Sequence, residues 1–419
     1  MRFLRVLAAI VATAMLPTLA SAATLTIVCG DALGGIALCK EGAEAWAQAK
    51  GHSVRVIRQA ESTSLSRRLY SDLFNAEADD IDVLELDMVW PGTLAKHLVD
   101  LKPAAGNARE HFGNALEAFT VGGRLLAVPW HINVGRLFYR SDLLEKYRLP
   151  VPQTWDELAA SARIIQDGER ADGNGGFFGY VFEGQPSEGL ACNALEWFAS
   201  RGGPGVVAAN GTVVVNNPIN KSALTKVASW VGSVSPPSLL NMSGADSLRY
   251  FNDGNAAFLR YWSDGRALLQ ARESKVRDRV SSADLPEGGE GGHAAIVGGF
   301  GLAVSRYSKH PDLAADLVAW LTSAEEQKRR ALVAGVDPSR PALYEERELV
   351  AVHPHYPALS RAIKSAVLRP ASVTGAKYDE LSEAFRETVH RVLARRSDPS
   401  RALDELSSTL RRMSSSWSE

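Results

Sequence analysis

Cysteine is scarce in this chain, with three in 419 residues. No two of them form a C-x-x-C pair, the spacing that marks many zinc and redox sites. An excess of one charge is missing as well. Lysine and arginine number 46 against 48 aspartates and glutamates, and no dense basic run occurs. Neither nucleic acid nor an anionic membrane is therefore an expected partner. Gly34-Gly35 and Gly298-Gly299 do not form a nucleotide fingerprint, and there is no P-loop. No G-x-S-x-G elbow exists to carry a hydrolytic serine. Histidines number nine. The H-x-H pair His353 and His355 has no evident third ligand and reads as a solvated turn. No metal and no cofactor are expected.

Long apolar runs are confined to the start. Met1-Arg2-Phe3-Leu4-Arg5 is followed by an apolar stretch from Val6 to Leu19 and then Ala20-Ser21-Ala22. A charged start, a short apolar core and an A-x-A site describe a cleavable signal peptide over residues 1–22. The run is shorter than the roughly 20 residues a spanning helix needs. No cysteine stands at the cleavage point to carry a lipid, so the mature chain is expected free in the periplasm. That compartment permits a disulfide. Cys29 and Cys39 flank a Gly-rich loop that a bridge would staple, leaving Cys192 over; the alternative is three buried thiols acting as small hydrophobes.

With 46% hydrophobic and 22% charged residues, the mature chain can bury a core, and its length suits about two domains. Leu25–Cys29, Ser53–Gln59 and Ile81–Asp87 read as strands separated by helical segments, which predicts parallel βαβ units in an α/β fold. Ligands in such sheets bind outside the carboxyl ends of the strands, which places Asp31, Arg67 and Asp87 near a site. Gly123–Trp130 and Arg136–Arg140 read as two extended segments leading into another lobe. Thr154 and Glu157 form a capping box that opens a helix. Ala294–Val304 reads as a strand pair punctuated by glycine. Asp398-Pro399 opens a last helix.

Several of these segments resemble the extracellular solute-binding proteins of carbohydrate ABC importers, in their trehalose/maltose-binding branch. The matching strings include Gln59-Ala60 with Arg67-Arg68, Leu86-Asp87-Met88-Val89-Trp90, and Phe138-Tyr139-Arg140-Ser141-Asp142-Leu143-Leu144-Glu145-Lys146-Tyr147. Others are Glu188-Gly189-Leu190, Phe251-Asn252-Asp253-Gly254-Asn255-Ala256-Ala257-Phe258, Gly298-Gly299 and Leu368-Arg369-Pro370. They run in order along nearly the whole mature chain. The resemblance implies a two-lobe periplasmic-binding-protein fold of type II character, each lobe a sheet flanked by helices. A hinge joins the lobes around a ligand cleft. It divides the chain into 23–131 plus 284–343 and 132–283 plus 344–419. The implied partners are a disaccharide-type sugar and the membrane permease subunits of an importer, with the protein itself a monomer.

A sugar presents hydroxyls at its ring edge and C–H groups on its faces, so its site needs polar side chains and flat aromatics. By resemblance, Asp87, Arg67 and Arg369 hold hydroxyls; the alternatives are a helix cap for Asp87 and a solvated surface pair with Arg68 for Arg67. Trp262 would stack on a ring face; the alternative is an ordinary core tryptophan. Gly299 and Phe300 lie in a loop resembling Gly-Gly-Trp, with Phe300 replacing the tryptophan. At the crossover Trp130, His131 and Asn133 depart from the family pattern, His131 standing for an aromatic and Asn133 for an aspartate. Asp31 is a further candidate near the first loop.

A glycosidase would need two carboxylates opposed across one bond. Glu85 and Asp87 share one side of a strand as neighbours, so an enzyme is not expected. A receptor for a sugar alcohol, monosaccharide or amino acid on the same fold is the alternative substrate reading.

Overall fold

The computed structural model describes residues 22–31, 34–60, 63–103, 106 and 108–417; most of the expected signal peptide lies outside them. The first three strands are β1 (Thr24–Cys29), β2 (Ser53–Arg58) and β3 (Val83–Asp87). Strand β1 pairs in parallel with both of the others, as strands joined by helical crossovers do. The crossovers are the helices Gly35–Lys50 and Thr63–Asn75. The first of these closes on Gly51 in the left-handed region at φ 72, a conformation glycine adopts without a Cβ clash.

A small hairpin, β4 (Thr120–Val121) and β5 (Arg124–Leu125), precedes the central strand β6 (Val128–Arg140). The later strands are β7 (Phe178–Val181), β8 (Ala256–Trp262), β9 (Val280–Ala283) and β10 (Val297–Val304). The main sheet runs β2-β1-β3-β10-β6-β8-β7, with β9 also paired to β6. Its middle holds the two departures from the sequence reading. The two extended segments expected up to Trp130 and from Arg136 are joined in one strand, β6, 13 residues long. The strand pair expected over Ala294–Val304 is a single strand, β10, because Gly298 and Gly299 sit inside its ladder rather than at a turn.

Strand β6 belongs to two sheet halves. Its first part pairs with β10 as far as Val134. From Gly135 onward it pairs with β8 and, from Leu137, with β9. Both faces of β6 are largely buried, as expected for a central strand covered by helices on each side. The expected capping box forms: Thr154 accepts from the Glu157 N–H at 3.1 Å, and the Glu157 carboxylate accepts from the Thr154 N–H at 3.2 Å. Asp398 likewise caps the helix Pro399–Met413 by accepting from the N–H groups of Ser400 and Arg401. Cys29 and Cys39 are disulfide-bonded, with their Cα atoms 6.5 Å apart, while Cys192 is a buried free thiol. Among the described residues no helix is long and apolar enough to cross a membrane.

Candidate ligand-binding cleft

The ladder register aligns five of the ten expected site residues, Asp87, Phe300, His131, Asn133 and Trp262, on one side of the sheet. Asp87 on β3 pairs with Phe300 on β10, and Phe300 pairs with His131 on β6. Directly opposed residues point to the same face, so the three form a row across neighbouring strands. Asn133 and Gly135 follow His131 at alternate positions on β6, opposite Gly298 and Trp262. The two glycines leave the space this arrangement needs. A Cβ at Gly298 would lie 2.9 Å from the Trp262 ring and against the Asn133 amide oxygen. A Cβ at Gly135 would collide with Glu196 and Arg260.

His131 is held from two sides. Its ring stacks on Phe300 at 5.1 Å and 25°, and its Nε2 faces a Glu85 carboxylate oxygen at 3.5 Å. The other Glu85 oxygen accepts from the Gly30 N–H at 2.6 Å, tying the end of β1 to the row. Asn133 donates from Nδ2 to Asp264 at 3.3 Å. Its own Oδ1 and the second Asp264 oxygen are buried without a hydrogen-bond partner among the described residues. Burial pushes the Asp264 carboxyl up, against the pull of His131 and Asn133. Trp262 is half-buried and carries the Arg260 guanidinium over its ring at 4.3 Å.

Asp87 fills one of the roles considered for it, the capping one, and adds an ion pair with Arg369. One carboxylate oxygen accepts from the Val89 N–H at 3.2 Å, as a capping group does, and also from Arg369 Nη2 at 3.2 Å. Burial raises its pKa, opposed chiefly by the Arg369 charge. Arg369 Nη1 donates to Glu188 at 3.0 Å, and Glu188 also accepts from the hydroxyls of Tyr378 and Ser382. Arg67 meets Asp379 at 3.0 Å. Burial pushes Asp379 up to about 6, against the Arg67 charge.

Besides Arg67 and Arg369, which lie off the sheet, three expected residues stand apart from the row. Trp130 is buried, with the Arg330 guanidinium 3.9 Å from its ring centre. It occupies a bulge: Phe300 pairs with His131 while Gly301 pairs with Pro129, which leaves Trp130 as the extra residue and re-aims it. Asp31 is exposed and pairs with Arg58 at 2.8 Å. Gly299 contributes backbone: at φ 144 its carbonyl accepts from the Met88 N–H at 3.2 Å.

Aromatic rings and carboxylate or amide oxygens thus line a row across an eight-stranded sheet shared by two halves. The description "Bacterial extracellular solute-binding protein" matches residues 38–328. The chain belongs to this family. A curated relative from Deinococcus radiodurans, named "Probable ABC transporter-binding protein", is 40% identical over 94% of each chain. Among solved structures, maltose-bound MalE3 of T. maritima is 32% identical over 94% of this chain and 100% of that one, with a TM-score of 0.86. The GacH receptor of Streptomyces glaucescens matches in fold, at 21% identity over 94% of this chain and 99% of that one and a TM-score of 0.82. The protein thus has the two-lobe periplasmic-binding-protein fold and is a solute-binding protein of an ABC transporter, a family that delivers substrate to permease subunits and is not enzymatic.

Four charged residues of this solute-binding protein escaped the sequence reading. Asp264 lies two positions after Trp262 and could have been found from that proximity. Glu188 stands inside a recognised string but had no role assigned. Asp379 and Asp337 come from the last third of the chain, and only the fold brings the first to Arg67 and the second to the Ser263 hydroxyl, at 2.6 Å.

Proposed function

We propose that this protein captures a disaccharide-sized, glucose-containing α-linked sugar, of trehalose or maltose type, between its lobes and presents it to the permease subunits of a sugar importer. The observation that carries this reading is the pair of unpaired buried oxygens on Asn133 and Asp264, beside the aromatic faces of Trp262, Phe300 and His131. Acceptors without donors suit a ligand rich in hydroxyls, because an unsatisfied buried polar atom costs about 1–3 kcal/mol. Ring faces suit the C–H surfaces of a pyranose. The maltose carried by the T. maritima relative supports the same class.

In this reading Asp87, Arg67 and Arg369 border the cleft and Gly299 supplies its backbone wall. The lobes divide as 23–131 plus 284–343 and 132–283 plus 344–419. The mature chain works as a periplasmic monomer after loss of its signal peptide. Replacement of the family's aromatic, aspartate and tryptophan by His131, Asn133 and Phe300 shifts which hydroxyl pattern is accepted. Calorimetric titration of the mature protein with trehalose, maltose, sucrose, glucose, mannitol and small amino acids tests the proposal. Saturable binding of a disaccharide is expected; binding of an amino acid with none of the sugars would overturn it.

A further inference from the structure

A second set of contacts lies beside the aromatic row. The short helix Pro91–Leu94 follows β3, and the segment Ala371–Lys377 passes against it. Their meeting point is glycine on glycine. A Cβ built on Gly92 would stand 2.9 Å from the Cα, carbonyl carbon and oxygen of Gly375, so the two backbones touch with no side chain between them. Gly375 has φ 52 and ψ −126, a conformation that side chains disfavour.

Polar contacts surround this point. Arg369, 5% exposed, bridges Asp87 and Glu188. Asp379 accepts from Arg67 at 3.0 Å and from the Thr93 hydroxyl at 3.3 Å. The void beside Arg369, bounded by Met88, Val89 and Leu368, is about 10 Å³, too small to hold a ligand. In the lobe division given above, Arg67, Asp87, Gly92 and Thr93 fall on one side and Glu188, Arg369, Gly375 and Asp379 on the other. Every one of these contacts except Arg369 to Glu188 then crosses the cleft.

We propose that Gly92 and Gly375 form the stop against which the lobes close, with Arg369 and Asp379 as positioning residues that draw them together, so that part of the closing tendency is independent of sugar. The inference rests on the interlobe reading of the cleft. Two carboxylates facing one buried guanidinium give a contact set close to energetic balance, because desolvation offsets much of the Coulomb attraction. Such a set biases closure without locking it. Apparent affinity then scales with the closed population, so a change at Gly92 or Gly375 acts on binding through closure.

The test uses the full mature protein and two variants, Gly92→Val and Asp379→Asn, with maltose as the probe. Small-angle scattering without sugar reads the lobe separation, and calorimetry reads affinity. Gly92→Val is expected to enlarge the radius of gyration in sugar-free buffer and to weaken maltose binding by tenfold or more, with Asp379→Asn shifting both in the same direction by less. Unchanged radii in both variants would overturn the proposal. If the unaltered protein binds no sugar, the sugar-free radii still decide the question, so the substrate reading can fail while the closing contact stands. An Asp379→Asn variant that moves the radius supports the contact even where Gly92→Val folds poorly.

Discussion

Asn133 donates its side-chain amide to Asp264 at 3.3 Å, yet each of the two keeps a buried oxygen with no donor among the described residues. Two acceptors from different segments, one on β6 and one just past β8, are thus held in place with half their capacity unused. A globular interior rarely tolerates this without a reason, and a hydroxyl-rich ligand is the reason argued above.

Asp264→Asn should separate stability from function. Relief of a buried carboxylate whose pKa is raised by burial is expected to leave the melting temperature of the sugar-free protein equal or higher. Sugar affinity is expected to fall by tenfold or more, about 1.4 kcal/mol. Calorimetry beside a melting curve checks both. A variant that lost stability and kept its affinity would make Asp264 purely structural.

Trp262→Ala removes a stacking face, and Gly298→Ala displaces the same face without removing it, because the new Cβ would meet the Trp262 ring at 2.9 Å. Both are expected to weaken sugar binding, roughly ten- to a hundredfold for the indole loss, on the scale of one aromatic contact and its burial. The fold should survive, since Trp262 is half-buried and Arg260 beneath it keeps its Glu196 partner. Titration of Gly298→Ala at wild-type affinity would show that the indole is not a sugar face.

Asp337 gives a pH dependence with a defined sign. Burial pushes its carboxyl up to about 8, with repulsion from Asp264 adding to the rise and the Ser263 hydroxyl at 2.6 Å opposing it. An unfolded aspartate loses its proton near about pH 4, so between there and about pH 8 the folded chain holds the extra proton. Stability therefore falls as pH rises through this window, by up to about 1.4 kcal/mol per pH unit from this group. Denaturant unfolding of Asp337→Asn across the same range should show a flatter profile. An unchanged slope would mean that Asp337 is ionised in the folded protein.

Glu196 and Arg260 form a buried pair, 0% and 3% exposed, in which Arg260 Nε donates at 2.8 Å and the Ile296 N–H adds a bond at 3.1 Å. Glu196→Ala strands the guanidinium and should cost about 3–5 kcal/mol. Adding Arg260→Met to a Glu196→Leu background should recover most of that loss. The comparison of melting temperatures between single and double variants decides it.

Reduction of the Cys29–Cys39 bridge, whose partners are ten residues apart, should lower stability by about 2–3 kcal/mol on the loop-entropy scale. Thermal unfolding with and without reductant measures this. Cys192, fully buried, should not react with a thiol reagent until the protein unfolds.

Much of the fold was legible because its signals are local. Alternating apolar runs and helix openings such as Thr154 with Glu157, or Asp398 with Pro399, need no distant partner to be read. The row of Asp87, Phe300 and His131 was legible as a set of candidates, but its alignment depends on β10 inserting between β3 and β6, a long-range event. Trp130 and His131 are neighbours that the sequence cannot tell apart; a bulge sends them to different surroundings. Arg67, Asp87 and Arg369 were read one by one as hydroxyl donors or acceptors. Their pairing with Asp379, with each other and with Glu188 appears only once the carboxyl-terminal helices fold back.

The strand Val128–Arg140 has a consequence for how such receptors can be altered by descent or by engineering. It is a single uninterrupted stretch whose front half is woven into one sheet half and whose back half into the other. A cassette exchange that joined the front lobe of one relative to the rear lobe of another would have to splice inside this strand. The graft would then carry mismatched neighbours on both sides of the seam. Within the proposed cleft, single changes at His131 or Asn133 leave both sets of strand pairings in place, which shuffling whole lobes does not.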